Sequence, residues 1–278
     1  MQIAVTGGSG DLGRALVPFL IEQGHTVVSI DRTLPPAVPP EEGRVRHIVA
    51  DMADFGQVVG SLRECEAVVH LAAHRSPRNA PDTLVYVQNT AASYHVLSAA
   101  AALGISRVCL ASSVNAIGGA FSRTPRYDYF PLDELHPTYC EDPYSLSKWV
   151  LEQQADTFAR RFAQLRIASL RFHWLMEHEQ RAAQLSREHA AVATRHLWAY
   201  TNTRAACRAC LAAITADFSG HELFYIVAPR TVVAEPSLEL ARQHYPDTPI
   251  RSELSGHTGF FSCAKAELLL GWRHDQDG

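Results

Sequence analysis

The chain has 278 residues, 47% of them apolar, and a formal net charge of −4. That length suits one large domain, or one domain with a smaller annex, around a substantial core, and the mild negative balance gives no reason to expect nucleic acid or an acidic membrane as a partner. The first residues read at once as a strand, with no basic and then apolar leader, and no apolar run reaches the length of a membrane span, so a cytoplasmic protein is expected.

The first strand is expected at Ile3-Ala4-Val5. It leads through Thr6-Gly7-Gly8-Ser9-Gly10-Asp11-Leu12-Gly13 into residues 14–21, which read as a helix with an apolar face. A strand, a glycine-rich turn and a helix open a dinucleotide-binding unit. Gly7 permits the tight turn, Gly10 lets a pyrophosphate approach the backbone, and Gly13 lets helix and strand pack closely. The helix N-terminus offers free N–H groups to the phosphates. Ser9, Asp11 and Leu12 join the three glycines as candidate cofactor contacts.

A second strand at 26–30 ends in Asp31-Arg32. Asp31 stands 18 residues past Gly13, where a carboxylate grips the ribose hydroxyls of an adenosine and repels a 2′-phosphate. NAD is therefore favoured. Arg32 keeps NADP open, because it can pair with a 2′-phosphate or stack on adenine. Residues 34–40 carry four prolines and read as irregular. A third strand at 45–49 leads to Asp51 and Met52. Asp51 either meets the adenine amino group or, like Asp54, caps the helix at 57–62.

A fourth strand at 67–71 precedes a long helix at 82–103 and a fifth strand at 107–111. Residues 118–143 are loop-like, 144–162 helical, and 167–172 a sixth strand. Strands separated by helices imply an α/β fold with a parallel, doubly wound Rossmann sheet. Residues 1–172 are read as the NAD(P)-binding domain. From 173 the rhythm changes: a charged helix at 177–192, another at 203–216, a late strand at 223–227 and short helices at 237–244 and 264–270. Residues 173–278 are expected to form a small substrate-binding region over the carboxyl edge of the sheet, partly returning to the core. The pair Cys207 and Cys210 lies in the Ala-rich helix without a second such pair or nearby histidines, so small-residue packing is expected and no metal.

The most informative spacing is Tyr144-Ser145-Leu146-Ser147-Lys148. On a helix these ends share a face, so the phenol and the ammonium point into one site. The ammonium, with an oxidised nicotinamide, is expected to draw the Tyr144 pKa down from roughly 10 toward a value useful for a base. A hydroxyl must orient the substrate oxygen, and Ser112 or Ser113, at the end of the fifth strand, can supply it.

Together, Thr6-Gly7, Gly10 and Gly13, then Leu71-Ala72-Ala73, Asn89, Ser112-Ser113, Pro131-Leu132-Asp133-Glu134 and Tyr144 with Lys148 resemble the extended short-chain dehydrogenase/reductases, and within them the NAD-dependent epimerase/dehydratase family. The resemblance covers about residues 1–175. It implies a Rossmann domain, a Ser-Tyr-Lys set of Ser113, Tyr144 and Lys148, cofactor contacts from Leu71, Ala72 and Ala73, and support of that strand by Asn89. Tyr144 and Lys148 would also touch the cofactor. It further implies a homodimer through the helices carrying Asp82 and Tyr144. Dehydratases of the family carry an Asp-Glu pair where this chain has Val114-Asn115, and nucleotide-sugar members carry a Tyr-Gly-Pro where it has His173-Trp174-Leu175. The runs 111–118 and Leu197-Trp198-Ala199-Tyr200 look like the uronate dehydrogenase branch, whose members oxidise the anomeric carbon of a free sugar acid with NAD.

Substrate-side candidates are His74, Arg75 and Ser76 after the fourth strand, Ser113 and Asn115 after the fifth, Arg123 and Arg126 in the aromatic loop, and His173 after the sixth. His136 is expected at the surface. The reading is an NAD(P)-dependent oxidoreductase for a sugar or sugar-acid-like small molecule, with an epimerase that retains its cofactor as the alternative.

Overall fold

The computed structural model describes residues 1–34 and 43–276. All but the first residue of the proline-rich segment 34–40 lies outside that range. The elements run β1 (Gln2–Thr6), α1 (Asp11–Glu22), β2 (Thr26–Asp31), β3 (Val45–Val49), α2 (Phe55–Leu62), β4 (Ala67–His70), α3 (Asp82–Leu103), β5 (Arg107–Ser113), a 3-10 turn (Val114–Ile117), α4 (Pro143–Arg161) and β6 (Arg166–Phe172). Then come β7 (Leu175–Met176), α5 (Glu179–Glu188), α6 (Ala190–Arg195), β8 (Thr201–Asn202), α7 (Thr203–Thr215), β9 (Gly220–Ile226), α8 (Ser237–His244) and α9 (Ala264–Leu270).

Seven strands form one sheet in the order β3-β2-β1-β4-β5-β6-β9, every neighbouring pair parallel. Side chains alternate between the two faces of each strand, and both faces are covered. Ile3 and Val5 of β1 join Leu16 and Leu20 of α1 and Ala205, Ala209 and Ala213 of α7 in one core. Ala4 faces the other way, into a core with Val58 of α2, Val96 of α3 and Leu151 of α4. This is the Rossmann arrangement. The chain leaves β1 in one direction for β2 and β3, then in the other for β4, β5 and β6, so the crevice opens at the carboxyl ends of β1 and β4.

The late strand is the seventh strand of the main sheet, paired with β6 from Arg166–Gly220 to Phe172–Ile226. In the carboxyl-terminal third, one element differs from its sequence reading. The charged helix expected at 177–192 is broken, because His189 adopts φ −131° and ψ 56° between α5 and α6. A third core, with Tyr127, Phe130, Trp198, Tyr225 and Phe260, fastens the loops of this part over the sheet edge. Among the described residues, no helix is long and apolar enough to cross a membrane.

Candidate active site

A cavity of about 680 Å³ lies along the carboxyl edge, lined at one end by Gly7, Gly10 and Asp31 and at the other by Trp174, Arg195 and His196. The glycine end is built for a close backbone approach. Gly7 has φ +74°, and a Cβ there would sit 2.7 Å from the Ala72 nitrogen. A Cβ on Gly13 would lie 2.2 Å from the Gly7 carbonyl oxygen, so only glycine lets α1 start so near the turn. Gly10 caps α1 without any side-chain hydrogen bond, which leaves first-turn N–H groups for phosphate oxygens. The residues therefore fit a dinucleotide pyrophosphate.

Asp31 ends β2 beside this turn. One oxygen accepts from the Ser9 N–H at 2.9 Å and the other from the Arg32 N–H at 2.7 Å. Each oxygen keeps a lone pair for a ribose hydroxyl. Asp51 lines the same cavity with Met52, and its carboxylate accepts from the Ala53 N–H at 2.9 Å. Asp54, not Asp51, caps α2 through the Gln57 N–H. Asp11 pairs with both Arg14 and Arg75.

The strand end at Leu71, Ala72 and Ala73 is held from two sides. Thr6 Oγ1 accepts from the Ala72 N–H at 3.3 Å and lies 2.7 Å from His70 Nδ1. Burial pushes the His70 pKa down to about 3, with the Lys148 charge acting in the same direction, so the ring is neutral. Asn89 of α3 accepts from the His74 N–H at 2.8 Å and donates to the His74 carbonyl and to Ser147 Oγ, both at 3.0 Å. One buried amide thus ties the loop after β4 to α4.

Asp142 caps α4, accepting from the N–H groups of Tyr144 and Ser145 at 3.0 and 2.9 Å, with Pro143 in the first turn. This places Tyr144 at the mouth of the helix and Lys148 one turn below it, both buried and both lining the cavity. Lys148 Nζ donates to the Ala111 carbonyl at 2.6 Å and lies 5.8 Å from the Tyr144 ring centroid. Phe121 packs edge-on against Tyr144 at 5.8 Å. Burial lowers the Lys148 pKa to about 8 while Glu152 opposes the fall. The protein's own groups alone do not lower the Tyr144 pKa. Burial pushes its pKa up to about 12, and the opposing influence is the neighbouring Ser113 hydroxyl rather than the lysine.

The two serines have separate surroundings. Ser113 lines the cavity with Tyr144, its hydroxyl draws the phenol's pKa down, and it accepts from the Asn115 N–H at 3.1 Å. Ser112 donates instead to Glu152 Oε1 at 2.6 Å. Glu152 also takes a two-pronged bond from Arg171, at 2.9 and 2.8 Å.

The chain belongs to the NAD-dependent epimerase/dehydratase family. That family's profile matches residues 3–216, and NAD is the family's cofactor. A Methanocaldococcus jannaschii protein provisionally named a UDP-glucose 4-epimerase is 30% identical over 175 residues, which cover 62% of this chain and 55% of that one. The chain thus spans about half the length of that relative. The L-arabinose 1-dehydrogenase (NAD(P)(+)) of Haloferax volcanii is 26% identical over 204 residues, 71% of this chain and 76% of that one. The structure of a glucuronic acid dehydrogenase from Chromohalobacter salexigens matches with a TM-score of 0.69 and 21% identity over 98% of this chain and 83% of that one, a likeness of fold.

For a member of this family, the substrate-side expectations meet mixed placements. His74, Arg75, Ser76, Asn115 and His173 line the cavity. His74 Nε2 donates to Gln88 Oε1 at 2.7 Å, and Arg75 reaches back to Asp11 at the glycine turn. Asn115 accepts from the Ala120 N–H at 3.0 Å, folding the loop after the 3-10 turn. His173 accepts from the Trp174 N–H at 2.7 Å and donates from Nε2 to the His196 carbonyl at 2.9 Å, which fixes its tautomer; burial lowers its pKa to about 4.

Arg123 and Arg126 are not among the cavity's lining residues; they pair with Glu141 and Asp128. His136 is buried, not exposed, with Nε2 accepting from the Asp128 N–H at 2.9 Å. Phe121, Trp174, Val192, Arg195 and His196 also line it, and sequence reasoning missed them. Their approach depends on the break at His189 and on Leu197 and Trp198, which hold φ +54° and +50° just after Arg195 and His196. Nothing in the local pattern announces that turn.

Proposed function

We propose that the chain is an NAD-dependent oxidoreductase that moves a hydride to or from a hydroxyl or carbonyl carbon of a sugar or sugar-acid-like small molecule. The observation that carries this reading is the Tyr144–Lys148 face of α4, which lines with Ser113 the same cavity as the glycine turn. In this reading Gly7, Ser9, Gly10, Asp11, Leu12 and Gly13 hold the pyrophosphate. Asp31 holds the adenosine ribose, with Arg32, Asp51 and Met52 around the adenine. Leu71, Ala72 and Ala73 flank the nicotinamide half, supported by Asn89. NAD, when bound, supplies the hydride acceptor and a positive ring.

Ser113 holds the reacting oxygen of the substrate and Tyr144 takes its proton. With its pKa near 12, Tyr144 becomes a base only as positive charge gathers near it, and Lys148 provides the fixed part of that charge and a ligand for the nicotinamide ribose. Asn115, His74, Arg75 and Ser76 are the polar groups offered to the substrate, while His173, with both ring nitrogens bonded within the protein, shapes the wall beside it. Val114-Asn115 supplies no acid and base pair for elimination, so oxidation or reduction is favoured over dehydration. Residues 173–278 act as the substrate-binding region and 1–172 as the cofactor-binding domain. A homodimer would use Val87 and Tyr94 of α3 and Leu146 of α4, which are exposed. A cytoplasmic location goes with this reading.

The identity to an epimerase favours a second reading, in which the same set works on a cofactor that stays bound. A screen of free sugars, uronic acids and nucleotide sugars with NAD and NADP separates the two. Net NAD(P)H formation is expected with a free sugar or sugar acid; product without net NAD(P)H would sink the dehydrogenase reading in favour of the epimerase.

A further inference from the structure

Three ionisable residues stand at i, i+4 and i+8 on one face of α4: Tyr144, Lys148 and Glu152. The first two face the cavity. The third is buried beneath them, almost without exposure, and neither the fold nor the proposed chemistry requires an acid there. Its surroundings are nonetheless fully built. Oε1 accepts from Ser112 at 2.6 Å and from Arg171 Nε at 2.9 Å, and Oε2 accepts from Arg171 at 2.8 Å. Arg171 in turn reaches the Tyr225 hydroxyl at 3.2 Å and lies 5.2 Å from that ring's centroid. Tyr225 is anchored by its N–H to Glu134 at 2.9 Å. The network therefore links α4 to β5, β6, β9 and the loop at residues 131–134.

We propose that Glu152 is a positioning residue of the active site, which holds Lys148 as a cation and fixes the Tyr144–Lys148 face against the strand end that carries Ser113. The proposal rests on the function proposed above for what Lys148 does. A salt bridge buried this deeply is weak evidence of stability, since desolvation offsets much of its attraction; its value here is in geometry and field. Lys148 is itself buried, its Nζ is bonded to the Ala111 carbonyl, and among the described residues no carboxylate pairs with it directly. Ala111 and Ser112 are adjacent on β5, so lysine and glutamate, one turn apart on the helix, grip successive residues of one strand end.

Among the described residues, Tyr144 and Glu152 on α4 and His70 on β4 act on or feel Lys148 directly; Arg171 on β6, Tyr225 on β9 and Glu134 in the loop follow through Glu152, and Asp142 faces Tyr144. His70 is neutral and Arg171 is cationic. Burial depresses the lysine's pKa to about 8, and Glu152 is the one influence raising it.

Lys148 and Lys265 are the two lysines of the chain, so lysine labelled with carbon-13 at the ε position gives two signals, which Lys265→Arg assigns. Glu152→Gln keeps the size of the side chain and removes its charge, leaving Arg171 uncompensated. The Lys148 titration midpoint is expected to fall by about one unit or more. Arg171→Met is expected to raise it, and the double variant to return it toward the parent value. Ser112→Ala keeps both charges and is expected to leave it in place. A folded Glu152→Gln chain with an unchanged Lys148 midpoint would overturn the proposal. So would an unchanged midpoint in Arg171→Met, which serves should Glu152→Gln not fold. The titration is read without substrate or NAD. A chain that oxidises no sugar therefore fails the functional reading without deciding this one, and an unmoved midpoint in an active enzyme does the reverse.

Discussion

The two ends of the cavity are made differently. The glycine end is local: Gly7 to Gly13 are contiguous, Asp31 ends the next strand, and backbone geometry does most of the shaping. The far end is assembled from the 3-10 turn after β5, the residues after β6 and the turn after α6, and its walls are side chains such as Phe121, Trp174 and His196. Trp174 and His196 pack there with tilted rings, centroids 4.1 Å apart. The first end tolerates little change because a backbone occupies the space. The second can be re-shaped by side chains, which suits a family whose members share a cofactor.

The sharpest test of this contrast falls at the junction. Tyr144→Phe removes the proposed proton acceptor and leaves the ring packed on Phe121. Turnover, followed as NADH absorbance, is expected to fall about 10²–10⁴-fold, with NAD affinity measured by calorimetry little changed. Retained turnover would show that the proton passes elsewhere. At the glycine end, Asp31→Asn removes a charge that orders Ser9 and is proposed to hold the ribose. NAD affinity is expected to weaken roughly tenfold, as for the loss of a charge-assisted hydrogen bond, and preference to move toward NADP; equal NAD affinity would show that Asp31 only braces the turn.

Trp174→Ala addresses the far end. It should raise KM for the sugar by about 2- to 10-fold, the scale of an aromatic contact, without altering NAD affinity. A matching loss of NAD affinity would break the distinction between the ends.

The smallest effect is on stability. His70 and His173 are buried neutral, with pKa values lowered to about 3 and about 4 from the ordinary 6.5. Between pH 6.5 and about 4 the unfolded chain takes up protons at these positions and the native chain does not, so stability must fall as pH falls. The urea midpoint should drop across that window, and His173→Asn should flatten the drop. A midpoint independent of pH there would mean the rings protonate in place.

Much of the cofactor half was legible because its signals are short in sequence. Glycines at a strand–helix junction, an acid at the end of the next strand, and a tyrosine and lysine one helical turn apart each state their geometry locally. The choice between Ser112 and Ser113 was not legible, since adjacent residues on a strand differ only in what lies opposite. The structure commits Ser112 to Glu152 and leaves Ser113 as the serine whose hydroxyl acts on Tyr144. His136 looked like a surface residue because its partners, the Asp128 N–H and the surrounding tyrosines, meet only in the folded loop.

The sequence by itself determined the parallel sheet, the position of the dinucleotide turn and the pairing of Tyr144 with Lys148, because strand alternation, glycine's missing Cβ and the 3.6-residue helix period act over a few residues. Tertiary structure alone decided the level of the Tyr144 and Lys148 pKa values, the fate of the carboxyl-terminal strand and the far wall of the cavity. Burial depends on everything that packs above a group. A strand's partner is chosen across the whole sheet. The left-handed backbone of Leu197 and Trp198, which costs about 1–2 kcal/mol per residue, persists only where the burial of both side chains offsets it.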